Sequence, residues 1–238
     1  MSSHIWRLKL GPIGENCYIA VSCGTTVLVD PGADPEHIVS FLREKALVPS
    51  LIVLTHGHLD HCAAIPDILE AFGDRTIDIA IHPEDAHYLG EASEETNRRL
   101  FEAIRAPSYF AAFWKPLPAP SVLLEDGVMV PGTTLQVIHS PGHSRGSICL
   151  HEAALEPGSY GTDDIEQGHH GPIPCLISGD TLFRDGVGRT DTPDSDPVAL
   201  ERSLRKLAHF APETLVFPGH GPRTTIGREL PPPFMAGR

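Results

Sequence analysis

The sequence predicts an α+β protein built as a four-layer αββα sandwich, with two β-sheets face to face and helices on both outer surfaces. Three observations lead there. The chain reads as two successive β-rich halves, about 1–120 and 121–238, each finishing with a helix and a strand. The run 50–55 (SLIVLT) is apolar without alternation, as expected of a strand covered on both faces. The 238 residues are 41% hydrophobic and 21% charged, an ordinary globular composition that can bury one sizeable core. Together these predict a single domain over 1–238 with two pseudo-halves, and no fixed-period repeat argues for a solenoid.

In chain order, residues 4–10 read as a first strand. Gly11, Pro12 and Gly14 turn the chain into a second at 17–23, and 25–30 (TTVLVD) follows at once, so these neighbours are predicted to pair antiparallel. Asp30-Pro31-Gly32 stops that strand, and Pro35 opens a segment whose Ile38, Phe41, Leu42 and Leu47 share a helical face. The buried strand 50–55 then runs directly into His56-Gly57-His58-Leu59-Asp60-His61. A helix over 63–72 is compatible with Pro66 only if that residue lies in its first turn. A strand at 78–82 and a polar helical stretch from 83 to 105 complete the first half. The Pro-rich stretch 110–120 (FAAFWKPLPAP) reads as a surface linker with exposed aromatics. In the second half, strands are predicted at 133–139, 147–152, 175–178 and 214–217, a helix at 197–210, and a polar loop at 158–171.

Charge and cysteine usage exclude several classes. Lys and Arg total 18 against 31 Asp and Glu, a formal net charge of −13. Such a surface repels phosphate backbones and anionic membranes, so neither nucleic acid nor a membrane is an expected partner. The five cysteines (Cys17, Cys23, Cys62, Cys149, Cys175) are odd in number and lack CxxC pairing, which argues for reduced thiols and a cytoplasmic setting. The start, MSSHIWRLKL, has no secretory h-region, and no run approaches the ~20 apolar residues of a membrane span.

The chemistry concentrates in 56–61. Three imidazoles and a carboxylate within six positions are metal ligands by type, suited to divalent zinc, iron or manganese. His56 and His58, two apart on an extended segment, can face one point, with Gly57 permitting close backbone approach. Asp60 and His61 follow the turn and can face a second. The competing reading, Asp60 as a helix cap and the histidines as exposed loop residues, suits a lone histidine better than this cluster. Three more candidates stand beside glycines at predicted strand ends: His143 in SPGHS, Asp180 in SGD and His220 in FPGHG. Each alone could be a turn residue, Asp180 above all. The shared grammar favours convergence on one rim.

HGHLDH (56–61), PGH (141–143), SGD (178–180) and PGHG (218–221) together resemble the ordered motifs of the metallo-β-lactamase-fold hydrolases. Within that superfamily, GPIGENCY (11–18), GDTLFRDGVGRTD (179–191) and FPGHGPRTTIGRE (217–229) most resemble the short, single-domain glyoxalase II-like hydrolases. The resemblance implies two mixed sheets and a binuclear centre. His56, His58 and His143 would hold one metal, Asp60, His61 and His220 the other, with Asp180 bridging and zinc the first expectation. A dication lowers the pKa of water from about 15.7 toward about 7, so the implied chemistry is hydroxide attack on a carbonyl, with Asp60 aiming the nucleophile. Thiolates leave readily, and two carboxylates only partly neutralise two dications. The implied substrate is therefore a small acyl-thiol, of the hydroxyacylglutathione kind.

Weaker candidates carry two readings each. Asp30 could support the metal loop through a hydrogen bond or simply begin a turn. Arg189 could grip a substrate carboxylate, though tying down its own loop is the preferred reading. Cys62 reads as a packed side chain, and the pair His169-His170 as an exposed loop. Full-length glyoxalase II carries a C-terminal helical region with basic residues for glutathione; here only 18 residues follow His220, and 231–238 (PPPFMAGR) cannot form it. The alternatives are a mononuclear-iron persulfide dioxygenase, which shares a GRTD-type motif, a lactonase, and, least favoured, a non-catalytic metal-binding protein. A β-lactamase is disfavoured because its second site uses Cys or His where Asp180 stands.

Overall fold

The computed structural model describes residues 3–156 and 172–231. Strands β1 (His4–Leu10), β2 (Glu15–Ser22) and β3 (Thr25–Val29) form an antiparallel meander. Helix α1 (Pro35–Glu44) crosses over to β4 (Leu51–Val53), parallel to β3. Two short helices, α2 (Leu59–Cys62) and α3 (Ile65–Ala71), lead to β5 (Asp78–Ile81). After two 3₁₀ turns over 83–92 come α4 (Ser93–Ala103), α5 (Pro107–Phe113) and the short strand β6 (Val122–Leu123), which closes a six-stranded mixed sheet in the order β1-β2-β3-β4-β5-β6.

The second sheet contains β7 (Gln136–His139), β8 (Ile148–Leu155) and β9 (Ile173–Gly179), followed by a small hairpin of β10 (Leu182–Phe183) and β11 (Gly186–Val187). Helix α6 (Pro197–Leu207), strands β12 (Leu215–Pro218) and β13 (Thr224–Thr225), and helix α7 (Ile226–Glu229) complete the described chain. The sheet order is β13-β12-β9-β8-β7. β8 runs antiparallel to both β7 and β9, and β12 is parallel to β9. β7, β9 and β12 therefore end at the same edge.

Strand alternation builds the four layers. Val27 and Val29 of β3, Ile148 and Leu150 of β8, and Cys175 and Ile177 of β9 point into one core between the sheets. The intervening Leu28 faces outward, where it packs with Ile38, Leu42, Ile65 and Ile68 of α1 and α3. Cys149, Leu176 and Val216 face the opposite outer layer, against Leu200, Leu204 and Leu207 of α6. The Asp196 side chain caps α6 by accepting from the amides of Val198 and Ala199. A fully buried Leu, Ile or Val contributes about 1.5–3 kcal/mol, so this alternation decides which register survives.

The structure departs from the sequence reading in a few elements. The stretch 110–120 is not a surface linker throughout: Pro107 opens α5, and Tyr109, Phe110, Phe113 and Trp114 pack against the first-layer core. Proline is favoured at a helix's first turn, and the pairs Tyr109–Phe113 and Phe110–Trp114, four apart, stack along one side. Asp60 and His61 lie in the short helix α2, and the helix expected over 63–72 is α3, with Pro66 in its first turn. The β10–β11 hairpin, β6 and β13 are too short to leave a periodic signal. The predicted loop 158–171, the pair His169-His170 and tail residues 232–238 lie outside the described residues. Among those described, no helix is long and apolar enough to cross a membrane.

Candidate metal centre

All seven predicted ligands follow the carboxyl ends of β4, β7, β9 and β12, five on the loops there and Asp60 and His61 on α2 just after the β4 loop. The Ile148 amide donates to the Thr55 carbonyl at 2.8 Å, and the Asn16 amide to the Gly219 carbonyl at 2.7 Å, so each sheet holds a loop of the other. Asn16 Nδ2 also donates to the Pro218 and Gly221 carbonyls, both at 2.8 Å, fixing the turn that carries His220. Glycine is required where the loops meet. A Cβ on Gly57 would stand 2.4 Å from Tyr88, and one on Gly219 2.3 Å from Asp180 Oδ1.

A buried carboxylate clamps the loop after β4 to the loop after β7. Asp85 accepts from the Gly57 amide (3.0 Å), the Gly146 amide (2.6 Å) and the Ser144 hydroxyl (2.6 Å). His58 and His143 are thus held together from behind. His143 Nε2 lies 3.0 Å from His58 Nδ1, and the His56 ring is centred 4.6 Å from His58 and 4.8 Å from His143. His56, His58 and His143 offer one donor atom each within a 4.8 Å span, and so do Asp60, His61 and His220. Asp180 faces both sets: Oδ1 is 3.5 Å from His61 Nε2, and Oδ2 is 3.6 Å from His143 Nε2 and 3.8 Å from His220 Nε2.

Outer partners fix the imidazole protons. His143 Nδ1 donates to the Arg189 carbonyl at 3.0 Å, and His61 Nδ1 donates to Asp30 Oδ2 at 3.0 Å. Thr55 gives its hydroxyl proton to Asp30 Oδ2 at 2.6 Å, so its oxygen accepts from His56 Nδ1 at 3.2 Å. In their neutral forms all three rings therefore turn an Nε2 lone pair toward the centre. His56 Nε2, His61 Nε2 and Asp180 Oδ1 are buried with no hydrogen-bond partner among the described residues. Desolvated lone pairs aimed at one another are costly unless a cation sits among them. The donor set fits a pair of divalent metals.

The two sets differ electrostatically. Burial, reinforced by neighbouring imidazoles, pushes His56 well below the usual histidine range and His143 down to about 4. Burial also acts to lower His61, but Asp180, Asp60 and Asp30 outweigh it and raise its pKa. Asp60 shows the reverse balance: burial favours the neutral acid, yet His61, His220 and His58 hold it well below the carboxylate range. An excess of negative charge at this second set is an invitation to a cation.

Asp30 is not in the centre itself, although its carboxylate lies near His56 and His61. Its oxygens accept from the Thr55 amide (2.7 Å), the Thr55 hydroxyl and His61, which leaves it behind the ligands as their support. It adopts a left-handed φ of 52° to do so. Arg189 pairs bidentately with Asp191 at 2.7 and 3.0 Å, so its guanidinium ties its own loop. Cys62 Sγ turns away to the His58 carbonyl at 3.4 Å.

Sequence reasoning missed four residues. Besides Asp85, these are Tyr88, whose hydroxyl donates to Asp194 Oδ2 at 2.5 Å, and Asp194 itself, with that oxygen 3.9 Å from His58 Nε2. The fourth is Glu15, buried without a partner among the described residues and raised in pKa by burial. None of the four carried a sequence signal; Glu15 lies just ahead of the second strand as the sequence placed it, and is the first residue of β2.

Comparison with known proteins identifies the family. Residues 10–154 match the family model described as "Metallo-beta-lactamase superfamily". The chain belongs to the metallo-beta-lactamase superfamily, and the class of protein so defined is a metallo-hydrolase. It is 32% identical to "Probable metallo-hydrolase YqgX" of Bacillus subtilis, over 97% of both chains. It is 29% identical to "Hydroxyacylglutathione hydrolase GloC" of Haemophilus influenzae, covering 85% of this chain and 82% of that one. Among solved structures it is similar to "TTHA1623 in a di-iron-bound form", with a TM-score of 0.72 and 33% identity over 94% of this chain and 96% of the other. It is likewise similar to "BLEG-1 B3 metallo-beta-lactamase", with a TM-score of 0.73 and 30% identity over 98% and 100%.

Proposed function

We propose that the chain is a binuclear metal-dependent thioesterase, acting on acyl-thiols of the hydroxyacylglutathione kind. His56, His58 and His143 would hold one cation and Asp60, His61 and His220 the second, with Asp180 available to both sets. The observation carrying the reading is the set of three Nε2 lone pairs locked toward a shared centre by Thr55, Asp30 and the Arg189 carbonyl. Two divalent ions there, zinc first and iron or manganese as alternatives, would acidify a water and polarise a substrate carbonyl.

The chain's own groups then have defined tasks. Asp60, ionised and partly open to the cavity, accepts a hydrogen bond from the attacking water and aims its oxygen at the carbonyl carbon. That oxygen bonds to carbon and the C–S bond breaks with its electron pair going to sulfur; one water proton passes to solvent and the other to the departing thiolate, so the products are a carboxylate and a thiol. A thiolate leaves without prior protonation, which suits a centre whose described residues include no obvious general acid. Identity to the hydroxyacylglutathione hydrolase GloC supports the thioester class and its hydroxyacyl member.

A substrate panel with metal analysis tests the proposal. About two equivalents of metal and hydrolysis of S-lactoylglutathione and other thioesters are expected. A single equivalent of iron with oxygen uptake on glutathione persulfide, or hydrolysis confined to a lactone or a β-lactam, overturns it.

A further inference from the structure

The centre opens into a cavity of about 210 Å³ with two chemically different ends. One end presents His58, Asp60, His143 and Asp180. The other is walled by Ile13 from the β1–β2 turn and by Leu100, Phe101, Ile104, Ala106 and Tyr109 from α4, α5 and their junction. Leu100 and Phe101 are buried members of the first-layer core, with Ile104, Ala106 and Tyr109 packed on it. Phe101 and Tyr109 stack with ring centroids 5.2 Å apart. This wall is rigid and continuous with the interior, unlike a chance surface patch.

We infer that this wall is an acyl-chain pocket, and that the enzyme gains rate on thioesters with each apolar carbon of the acyl group, beyond the short hydroxyacyl member. The inference rests on the thioester reading and takes it past the hydroxyacyl group. A carbonyl placed at the histidines and Asp60 directs whatever it bears along the cavity to the apolar wall. The volume is below the about 300–1,000 Å³ of sites that enclose drug-sized ligands, so a short chain fits where a tripeptide thiol does not. Charge points the same way. Among the described lining residues Arg189 is the one cation, and Asp191 already holds its guanidinium.

The test is an acyl ladder on one thiol, measured with the metal-loaded enzyme: acetyl-, butyryl- and hexanoylglutathione against S-lactoylglutathione, repeated on N-acetylcysteamine. Each methylene buried is worth about 0.8 kcal/mol, so kcat/KM should climb about fourfold per carbon, with the same slope on both thiols. Ile104→Asn, a partly exposed position, should flatten that slope. Tyr109→Phe, which keeps the ring, should preserve it. Rates that follow the thiol instead of the acyl group, a flat ladder, or lactoyl preferred over butyryl overturn the acyl pocket while leaving the thioesterase reading intact. No hydrolysis of any thioester by metal-loaded enzyme overturns both.

Discussion

The two triads share Asp180 but are built from opposite materials. His56, His58 and His143 are three buried imidazoles, two of them pushed strongly toward the neutral form. Asp60, His61 and His220 include a carboxylate, stand in front of Asp30, and leave His220 a quarter exposed. The first position is neutral and would receive a cation through lone pairs alone; the second is acidic and would attract one by charge, while His58 and His143 of the first and Asp60 of the second all line the cavity. Their difference suggests a division of labour, with the first site anchoring the fold's loops and the second supplying the chemistry.

The largest effect should follow removal of the side chain that gives the second position both its charge and its aim. Asp60→Ala should lower kcat/KM for thioesters by about 10²–10⁴-fold while the circular dichroism spectrum stays near native. Retained activity would mean that the acidic position is not the reactive one. His220→Ala comes next. Outer partners of a metal ligand already cost about 10–100-fold, so a ligand itself should cost at least about 100-fold, and bound metal should fall from about two equivalents to about one. If the variant keeps its full metal content and rate, the second position has been wrongly drawn.

How much of this could be read in the chain follows from where each contact is made. PGH, SGD and PGHG were legible because His143, Asp180 and His220 each sit beside a glycine at a strand end, visible as a break in an apolar run, and HGHLDH because its histidines and carboxylate cluster directly after one. The unbroken apolar run 50–55 likewise announced a strand with two covered faces, and Ile52 and Val53 do face opposite cores. Asp85, Tyr88 and Asp194 were not legible. Their roles exist only because the 83–88 turn approaches residues 144–146 and 194, some 59 to 106 positions away. The α5 aromatics were misread for a local reason: prolines bracketing a short helix look like a linker until the core against which Tyr109 and Phe113 pack is known.

A smaller perturbation can separate the two positions. Asp30→Asn keeps a side chain of the same shape but removes the carboxylate behind His61. Affinity for the second metal equivalent should drop by about 10–100-fold in a competition titration against a chromogenic chelator, with the first equivalent little changed. Equal weakening of both equivalents would show that Asp30 acts through Thr55 and His56 as much as through His61, and the contrast between the triads would narrow.

The mildest test uses a third meeting of histidines, outside the centre. His82 is stacked on His139 with ring centroids 3.9 Å apart, and burial, with the neighbouring imidazole, pushes it down to about 4, as for His143. Its Nδ1 accepts from the Glu84 amide at 3.3 Å, an acceptor lost on protonation. In the unfolded chain a histidine takes up a proton below about 6.5. Native His82 waits until about 4, so the unfolded state binds more protons between those values and stability falls as pH is lowered through that window, levelling off below it. Bound metal should protect His143 from this competition and leave His82 exposed to it, because the stacked pair brings no third donor. Urea midpoints of the metal-loaded protein at pH 7 and pH 5 should therefore differ, and His82→Asn, which can still accept from the Glu84 amide, should shrink that difference. An unchanged difference in the variant would trace the acid sensitivity back to the triads and would mean that metal does not shield their imidazoles.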